Sequence, residues 1–410
     1  REVVAIDPLT VRFVQKEPRA TWRFSLNFEL VPKHLFEVKM EEDPTLRRDD
    51  YYKQLHRHPV GSGPFKFVSW DEKQIILERW DDYSHEADKP KIKRLVIRWI
   101  EKPEDKLHAF LEGRLDLCKL TEAQYQSELF TDSFRSVGRE AMRPSMRYTY
   151  ILWNIAREDS PFADARVRKA MTYAINIRQI KAEVTNNLAA ACYGPWPVES
   201  RFFNPEFRRL AYDPYRADEL LNDAGWRLAE DGWRYRLEPG EVPDENAEPF
   251  RFSLLVHAGD PSLMRTAELG RKHLARIGVD MIIDSVNKDE FVDRKKDRDF
   301  DGRLAGITPS FDPDRDRVMF AGGATRNYGG YANAEVDRLF DKGARLMNPG
   351  KRAKCYQEIH RLIYEDQPMT FLYHAPSLYA VSHRLEGIQF SARMGPYLFY
   401  PGVRTWWVPR

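Results

Sequence analysis

The sequence predicts an α/β fold with a parallel or mixed sheet, and two stretches of the chain carry that prediction. In residues 252–284, a strand over Phe252–Val256, an apolar-striped helix ending at Gly278 and a strand over Asp280–Asp284 follow one another. This order is typical of two parallel strands that are joined by a helical crossover. Residues 148–177 contain a further strand, a polar loop and an amphipathic helix.

The 148–177 stretch illustrates how local sequence sets each element. Aromatic and smaller residues alternate over Tyr148–Trp153, which predicts a strand, and a polar loop begins at Asn154. Asp164 stands at the expected N-cap, where its carboxylate accepts hydrogen bonds from the first free N–H groups of the helix. Helical spacing then predicts one apolar stripe, with the basic residues lying off it. The stripe comprises Val167, Ala170, Met171, Ala174 and Ile175, and the basic residues are Arg166, Arg168 and Lys169.

Glycines and β-branched runs mark the remaining elements. Helices are predicted over residues 103–113 and 214–225, each ending at a glycine, and a hairpin or long surface loop over 227–249. Near the beginning of the chain, strand-like pieces lead into a charged stretch over Met40–Arg57 that is predicted to be helical. Three strands are predicted between residues 64 and 100, namely Phe65–Val68, Ile75–Glu78 and Leu95–Ile100.

The three cysteines are an odd number and need separate interpretations. Cys355 begins a helical apolar stripe that continues to Ile363, so we expect it to be a buried, small apolar side chain. A bridge between Cys118 and Cys192 stays open for an oxidising compartment, because sequence alone does not show whether the two residues are close.

Composition limits the classes of function. At 410 residues the chain is long enough for two or three domains. Its 65 basic and 63 acidic residues leave a net charge of +2 without a dominant basic run, which argues against nucleic acid as a partner. The mean hydropathy is −0.62, and no apolar stretch approaches the roughly 18 residues of a membrane span.

We find no pattern of a catalytic or metal centre in the sequence. Gly61-Ser62-Gly63 lacks the spacing of a nucleophile elbow and the Lys-Ser/Thr of a phosphate loop, so we interpret it as a turn. His56 and His58 would share one face of a strand, but no further Cys/His cluster completes a metal site. We therefore expect no catalytic residue, no metal ion and no cofactor.

Several motifs together resemble one protein family from about residue 10 onward. The densest is WN…PFADARVRKAMTYAIN, between Trp153 and Asn176. It resembles the segment that opens the second lobe in family 5 extracellular solute-binding proteins, which are the oligopeptide-, dipeptide- and nickel-binding receptors of ABC importers. Other segments resemble motifs of this family in the same order: His58–Phe65, Phe110–Asp116, Gly194–Pro197, Tyr212–Trp226, Tyr328–Asp337 and Glu358–His374.

The resemblance implies a two-lobed, periplasmic-binding-protein-like fold of type II with a hinge and the remnant of a small accessory subdomain. By this resemblance, residues 1–58 form the partial accessory subdomain, residues 59–148 and 373–410 form lobe I, and residues 149–372 form lobe II. The N-terminal portion that precedes this region in family members is absent here, so we expect a trimmed or fragmentary sequence.

Two crossings between the lobes follow from the same implied arrangement. They lie near Met146–Tyr150 and near Tyr373–Pro376, and a ligand bound in the cleft between the lobes would close the hinge.

The resemblance also implies a function. The protein is expected to be a receptor in the periplasm or at the cell surface that captures a peptide or peptide-like solute and delivers it to the permease subunits of an ABC importer. We expect a monomer that neither catalyses a reaction nor binds nucleic acid. Two alternatives stay open, since fold does not determine function. One is a hydrolase on the same scaffold, which would need a convergent Ser/His/Asp or metal triad, and the other is a signalling or chaperone-like derivative.

Aromatic residues at the lobe edges are the main candidates for the solute site, because such side chains combine a large contact area with a polar group. For each of them, packing in the core is an equally open interpretation. Asn154 is either a ligand contact or an Asx cap of its loop. The predicted ligand-binding residues are Tyr148, Trp153, Asn154, Trp196, Ser310, Phe311, Asp312, Tyr328 and Tyr331.

One departure from the family pattern concerns the amino terminus of the ligand. In peptide-binding members, an Asp upstream of an acidic-Pro pair forms a salt bridge with the ligand's α-amino group. Asp312-Pro313 matches the end of that motif, but the position of the anchoring Asp is occupied by Pro309. We therefore expect a weak dependence on a free α-amino group, unless Asp312 or a neighbour, Asp314 or Asp316, holds that charge.

Overall fold

A computed structural model describes residues 2–22, 32–42, 57–128, 131–143, 145–207, 209–390 and 402–409. The chain divides into two compact units. Unit 1 comprises residues 1–26 and 144–376, and unit 2 comprises residues 27–143 and 377–410. The chain therefore passes between the units after residues 26, 143 and 376. The last two positions lie in or near the two segments that were predicted to cross between lobes.

Helices and strands are present in both units. In chain order, the strands of the described residues are β1 (Glu2–Asp7), β2 (Thr10–Val14), β3 (Phe65–Trp70), β4 (Gln74–Arg79), β5 (Arg94–Arg98), β6 (Leu117–Leu120), β7 (Gly138–Arg143), β8 (Tyr148–Trp153), β9 (Ala190–Ala191), β10 (Trp226–Leu228), β11 (Arg234–Arg236), β12 (Arg251–His257), β13 (Asp280–Val286), β14 (Gly302–Ile307), β15 (Met369–His374) and β16 (Ser377–Ser382). The α-helices of the same residues are α1 (Lys33–Glu42), α2 (Pro103–Leu111), α3 (Glu122–Glu128), α4 (Asp132–Val137), α5 (Ala165–Ala174), α6 (Ile177–Thr185), α7 (Pro214–Asp223), α8 (Pro261–Ala275), α9 (Lys288–Asp297), α10 (Arg317–Phe320), α11 (Ala334–Arg345) and α12 (Pro349–Asp366).

Unit 1 is built around a mixed sheet with the strand order β13-β12-β14-β8-β15-β9. β12 pairs in parallel with β13 and β14, whereas β14 and β15 are antiparallel to β8. Helix α8 connects β12 to β13, which confirms the strand–helix–strand unit predicted over residues 252–284. With α5 and α12 of the same unit, this arrangement confirms the α/β class.

β8 lies in the middle of this sheet, and all six of its residues are buried. Its side chains alternate between two hydrophobic cores: Ile151 and Trp153 belong to one, and Tyr148, Tyr150 and Leu152 belong to the other. The alternation that predicted a strand therefore distributes side chains between two covered faces, as is typical when helices cover both sides of a sheet.

Helix α5 begins and packs as predicted, with one exception. The Asp164 carboxylate accepts a hydrogen bond from the Arg166 N–H at 2.8 Å, and all five residues of the predicted stripe are buried. Arg168 was predicted to lie off the stripe, yet it is also buried. Its guanidinium donates to the carbonyls of Phe162 at 2.6 Å and Asp366 at 2.9 Å. A buried charge loses its hydrating water, and these backbone carbonyls accept the hydrogen bonds that the water would have accepted.

In unit 2 the described strands form two antiparallel sheets with the orders β6-β16-β7 and β3-β4-β5. The three strands predicted between residues 64 and 100 correspond to β3, β4 and β5. The helix predicted over 103–113 is α2, which ends at Leu111, and Gly113 follows it with a φ of 71°. That left-handed backbone conformation explains why glycine marks the end of this helix. Phe110 of α2 packs against Phe134 of α4 with a ring-centroid distance of 5.8 Å.

The unit boundaries differ from the predicted domain boundaries. The predicted accessory segment, residues 1–58, is divided between the units at residue 26, and its first part is attached to unit 1, where the Ala20 N–H donates to the Ala344 carbonyl at 2.8 Å. The boundary predicted at residue 373 lies after residue 376, because β15 continues to His374 opposite Tyr148.

Three other predictions have the following outcomes. Only the beginning of the helix predicted over Met40–Arg57 lies in α1, and residues 43–56, including His56, lie outside the described residues. The segment after residue 226 begins with the β10–β11 hairpin, as predicted. Within the described part of the chain, no helix is both long enough and apolar enough to span a membrane.

All three cysteines are buried free thiols, so no bridge joins Cys118 to Cys192 in this structure. Burial raises the pKa of the Cys192 thiol to about 12, which keeps it protonated and unreactive at neutral pH. Cys355 packs in the second core of unit 1, which confirms its interpretation as a buried small side chain.

Candidate functional site

The turn that follows β14 holds three of the predicted site residues and a dense group of carboxyl groups. We call the segment Ser310–Asp316 the acidic turn; its second half, Pro313–Asp316, is a 3-10 helix. Phe311 is 55% exposed, whereas Asp312 and Asp316 on the same turn are only 2% and 3% exposed. The turn thus exposes one aromatic ring to solvent, while the neighbouring carboxyl groups of Asp312 and Asp316 are buried.

Asp312 is held in a buried ion pair. Its Oδ1 accepts hydrogen bonds from Arg352 Nη2 at 2.7 Å and from the Asp314 N–H at 3.0 Å. Arg352 also donates through Nε to the Gly343 carbonyl at 3.1 Å, and its guanidinium lies 4.9 Å from the centre of the Tyr356 ring. Burial opposes the charge of Arg352, but the hydrogen bond and attraction of Asp312 raise its pKa. Asp312 therefore serves the fold as the counter-charge of Arg352.

Asp316 is buried without a cationic partner among the described residues. Its Oδ1 accepts from the Ser310 N–H at 2.9 Å, and its Oδ2 accepts from Trp196 Nε1 at 2.9 Å. Burial raises the pKa of Asp316 to about 7, and the negative charge of Asp312 also raises it. The hydrogen bonds to Asp316 act in the opposite direction and lower the pKa. The carboxyl group closes the acidic turn on itself and ties it to the Trp196 segment.

Asp314 completes the group of carboxyls. The Tyr356 hydroxyl donates to its Oδ1 at 3.1 Å, and burial raises the pKa of Asp314, assisted by the charge of Asp312. Of the three carboxyl groups of the turn, only that of Asp312 forms an ion pair among the described residues, and its partner is Arg352.

Three of the predicted aromatic contacts lie inside the cores. Trp153 has no exposed surface; it stacks on Phe162 at 4.3 Å and donates through Nε1 to the Thr370 hydroxyl at 3.1 Å. Tyr148 is equally buried, packed against Phe371 at 5.6 Å. Trp196 is 2% exposed and is bonded to Asp316. For these three residues the structure shows the core-packing alternative, which leaves them no surface for a solute.

Asn154 has a different partner from either of those we considered. Its Nδ2 donates to the carbonyls of Arg298 at 3.0 Å and Phe300 at 2.8 Å. The side chain therefore ties the end of β8 to the segment before β14, rather than capping its own loop. With 3% of its surface exposed, it offers little to a ligand.

Of the two remaining aromatic candidates, Tyr331 also lies in the second core of unit 1, and Tyr328 packs against that core. Tyr331 is 5% exposed, and its hydroxyl donates to Asp366 Oδ2 at 2.6 Å. Burial, with that hydrogen bond, raises the pKa of the Tyr331 hydroxyl. Tyr328 is half-buried, and Lys295 Nζ lies 5.0 Å from the centre of its ring.

The structure thus joins Ser310, Phe311 and Asp312 to Trp196 through the hydrogen bonds of Asp316. Tyr148 lies close enough for the charge of Asp316 to contribute to the raised pKa of its hydroxyl, after the larger effect of burial. Sequence reasoning missed Arg352 and the roles of Asp316 and Tyr356. The density of acidic residues over 312–316 was a visible signal. Nothing local marked Arg352 as its partner, because 40 residues separate Arg352 from Asp312.

Comparisons with known proteins agree with the resemblance. The sequence model described as Bacterial extracellular solute-binding proteins, family 5 Middle matches residues 1–329. The Oligopeptide-binding protein AppA of Bacillus subtilis is 25% identical over 392 residues, which cover 93% of this chain and 67% of that protein. Heme-binding protein A of Haemophilus influenzae is 23% identical over 391 residues, covering 94% and 67%. The chain thus spans about two thirds of the length of these curated relatives.

The fold has solved counterparts. The ABC transporter substrate binding protein CtaP of Listeria monocytogenes has a TM-score of 0.82 at 20% identity, over 99% of this chain and 77% of that one. At this level of identity the likeness concerns the fold alone. It confirms the predicted two-lobed, periplasmic-binding-protein-like class.

Proposed function

The chain belongs to the bacterial extracellular solute-binding proteins of family 5, and from that premise we propose that it is the receptor of an ABC importer for a peptide-like solute. The observation that carries this proposal is the family match over residues 1–329, which includes the acidic turn. In this proposal the receptor binds the solute outside the cytoplasm, in the periplasm or at the cell surface. It passes the solute to the permease subunits and performs no chemistry itself.

The acidic turn supplies the surface on which the proposed site in unit 1 depends. Phe311 stands between two anchored residues: the Ser310 N–H is held by Asp316, and the Asp312 carboxylate is held by Arg352. An exposed ring on a backbone that is fixed on both sides loses little conformational entropy when a solute covers it. We propose Phe311 and Ser310 as direct contacts, with Tyr328 contributing its exposed part.

The buried candidates have a supporting part in this proposal. Trp196 holds the acidic turn through Asp316, and Asp312 holds it through Arg352. Tyr148, Trp153, Asn154 and Tyr331 stabilise the sheet and the loops around it without touching the solute.

The primary test of the function is native mass spectrometry of the protein as purified. We expect a retained species with a peptide-like mass that is released on denaturation. Calorimetry with a defined peptide pool then provides the affinity. If the protein carries no bound species and no peptide of the pool produces heat of binding, the receptor proposal for peptide-like solutes fails.

Replacing Phe311 by Ala should weaken solute binding about tenfold. Truncation of an aromatic contact that a ligand covers typically costs about 1–2 kcal/mol, and about 1.4 kcal/mol corresponds to a factor of ten in affinity. Calorimetry of the wild type and Phe311→Ala measures the difference. The matched control is Tyr215→Ala, which truncates an 85% exposed aromatic residue on α7. If both variants bind the solute equally weakly, or if neither binds it more weakly than the wild type, Phe311 is not part of the site.

Binding should depend little on a free α-amino group in the peptide. The Asp312 carboxylate that would replace the missing anchor is already paired with Arg352, and Asp316 is buried. A lost charge-assisted hydrogen bond would cost about 1.5–3 kcal/mol, so an anchored amino group would separate a free peptide from its N-acetylated form by more than tenfold. We expect a smaller ratio in calorimetry. A ratio above tenfold for the wild type would show that another acidic residue takes the amino group.

A further inference from the structure

Unit 1 contains a buried guanidinium without a counter-charge. Arg303 on β14 is only 8% exposed. Its Nε has no hydrogen-bond partner, and no carboxylate among the described residues forms an ion pair with it. The one hydrogen bond of its side chain in those residues is a long one, 3.4 Å from Nη1 to the Tyr150 hydroxyl. Leaving a buried charge uncompensated is costly for a fold, because the charge loses its hydration without gaining a partner.

The other buried arginines of unit 1 all have compensating partners. Arg352 has the carboxylate of Asp312, and Arg234 has that of Asp218. Arg168 lies among backbone carbonyls, including those of Phe162 and Asp366. Arg303 has neither kind of partner, and its guanidinium carbon lies 4.4 Å from the centre of the Phe291 ring. An aromatic face attracts a cation weakly and does not replace an anion.

The surroundings of Arg303 are positively charged. Lys295 on α9 also lacks an ion pair among the described residues, and its Nζ lies over the Tyr328 ring. Burial lowers the pKa of Lys295, and the charges that add to this effect are those of Arg303, Lys296 and Arg326. The charges that contribute to this lowering are therefore all positive. The region combines the buried Arg303, the partly buried Lys295 and two aromatic walls, those of Phe291 and Tyr328.

We propose that Arg303 and Lys295 form a subsite for an oxyanion, which is either a free phosphate-like ion or the acidic group of a solute. A planar guanidinium matches the two oxygens of a carboxylate or a phosphate, and an ammonium adds a second positive charge. The walls of Phe291 and Tyr328 limit the hydration of the ion pair and strengthen it. The anion would supply the counter-charge that the fold leaves out.

This subsite does not depend on the identity of the solute in the proposed function. Inorganic phosphate and a peptide carboxylate share the chemistry, so the experiment uses both as separate probes. The protein is first freed of any retained solute by unfolding and refolding. Thermal unfolding and calorimetry are then measured with inorganic phosphate, with trialanine and with trialanine amide, each in a buffer without other oxyanions.

The variants are Arg303→Gln, Arg303→Lys and, as a matched control, Arg271→Gln, which removes an exposed arginine of α8. We expect at least one of the anionic probes to stabilise the wild type and the Arg271→Gln variant. Arg303→Gln should weaken that binding on the order of tenfold or more, and Arg303→Lys should recover part of it. Without a probe, Arg303→Gln should unfold at the same temperature as the wild type or at a higher one, because it removes an uncompensated charge.

The probes separate the two sources of the anion. Stabilisation by phosphate assigns the subsite to a free ion, whereas binding of trialanine that is lost in trialanine amide assigns it to the acidic group of a solute. If no probe acts through Arg303, or if Arg303→Gln responds as the wild type does, the subsite does not exist and Arg303 only packs against Phe291. Failure of the peptide-receptor proposal has a different signature, since phosphate binding at Arg303 would remain.

Discussion

Replacing Asp312 by Asn should lower the free energy of unfolding by about 3–5 kcal/mol, the usual cost of leaving one partner of a buried ion pair unpaired. The Arg352 side chain is 10% exposed and the Asp312 side chain 1% exposed, so water cannot restore the lost partner. Asparagine keeps an oxygen for the Asp314 N–H, and the turn therefore retains its cap. Urea unfolding of the wild type and the variant measures the difference.

A matched control isolates burial from the loss of an ion pair as such. Asp341 and Arg317 form an ion pair at 2.6 Å, but their side chains are 59% and 37% exposed. Asp341→Asn should therefore cost less than about 1 kcal/mol. The double variant Asp312→Asn, Arg352→Met should be less destabilised than the sum of its two single variants, because no charge is left unpaired. A cost below about 1 kcal/mol for Asp312→Asn would contradict the assignment of this pair.

This prediction also decides how an effect of Asp312 on solute binding is to be interpreted. Sequence reasoning placed Asp312 at the ligand, whereas the structure pairs it with Arg352. If Asp312→Asn weakens binding in proportion to its loss of stability, the residue acts through the fold. Phe311, the exposed residue next to it, remains the direct contact in our proposal.

Local patterns predicted those features whose causes are local. Asp164 as a cap, Gly113 after its helix and the crossover over 252–284 each depend on residues within about one element of each other. Arg168 shows the limit of such reasoning. Its position off the apolar stripe predicted exposure, but its hydrogen-bond acceptors include the Asp366 carbonyl, which lies 198 residues further along the chain.

The same limit explains the candidate site. Aromatic residues at strand ends suit a ligand site and a core equally well, and only the packing of distant elements decides between them. Trp153 donates to the Thr370 hydroxyl, 217 residues away, and Trp196 donates to Asp316, 120 residues away. The sequence could not predict that Arg303 lacks an ion pair among the described residues either, because such a partner can come from any distant part of the chain.

The stability of the protein should carry a pH dependence that originates at Asp316. Its pKa is about 7 in the folded protein and 3.8 in an ordinary setting, chiefly because the carboxyl group is buried. Between about pH 4 and about pH 7 the folded state therefore holds a proton that the unfolded chain releases. This contribution is fully present below about pH 4 and is lost as the pH rises through about 7. Its size is at most about 4 kcal/mol, at 1.36 kcal/mol for each pH unit.

Replacing Asp316 by Asn should remove this dependence, and the test is the difference in unfolding free energy between the wild type and Asp316→Asn at about pH 5 and about pH 8. Ser310 N–H and Trp196 Nε1 donate to different oxygens of the carboxylate, and an amide has an oxygen at only one of those two positions. The variant therefore carries a constant cost of about 1–3 kcal/mol. That cost does not change with pH, whereas the contribution of the ionising carboxyl does. We expect the wild type to lose stability relative to Asp316→Asn as the pH rises, and relative to the exposed control Asp341→Asn as well. A difference that is constant between the two pH values would mean that Asp316 ionises in the folded protein as it does in the unfolded chain. Its neutral hydrogen-bond donors would then compensate its charge without help from a cation.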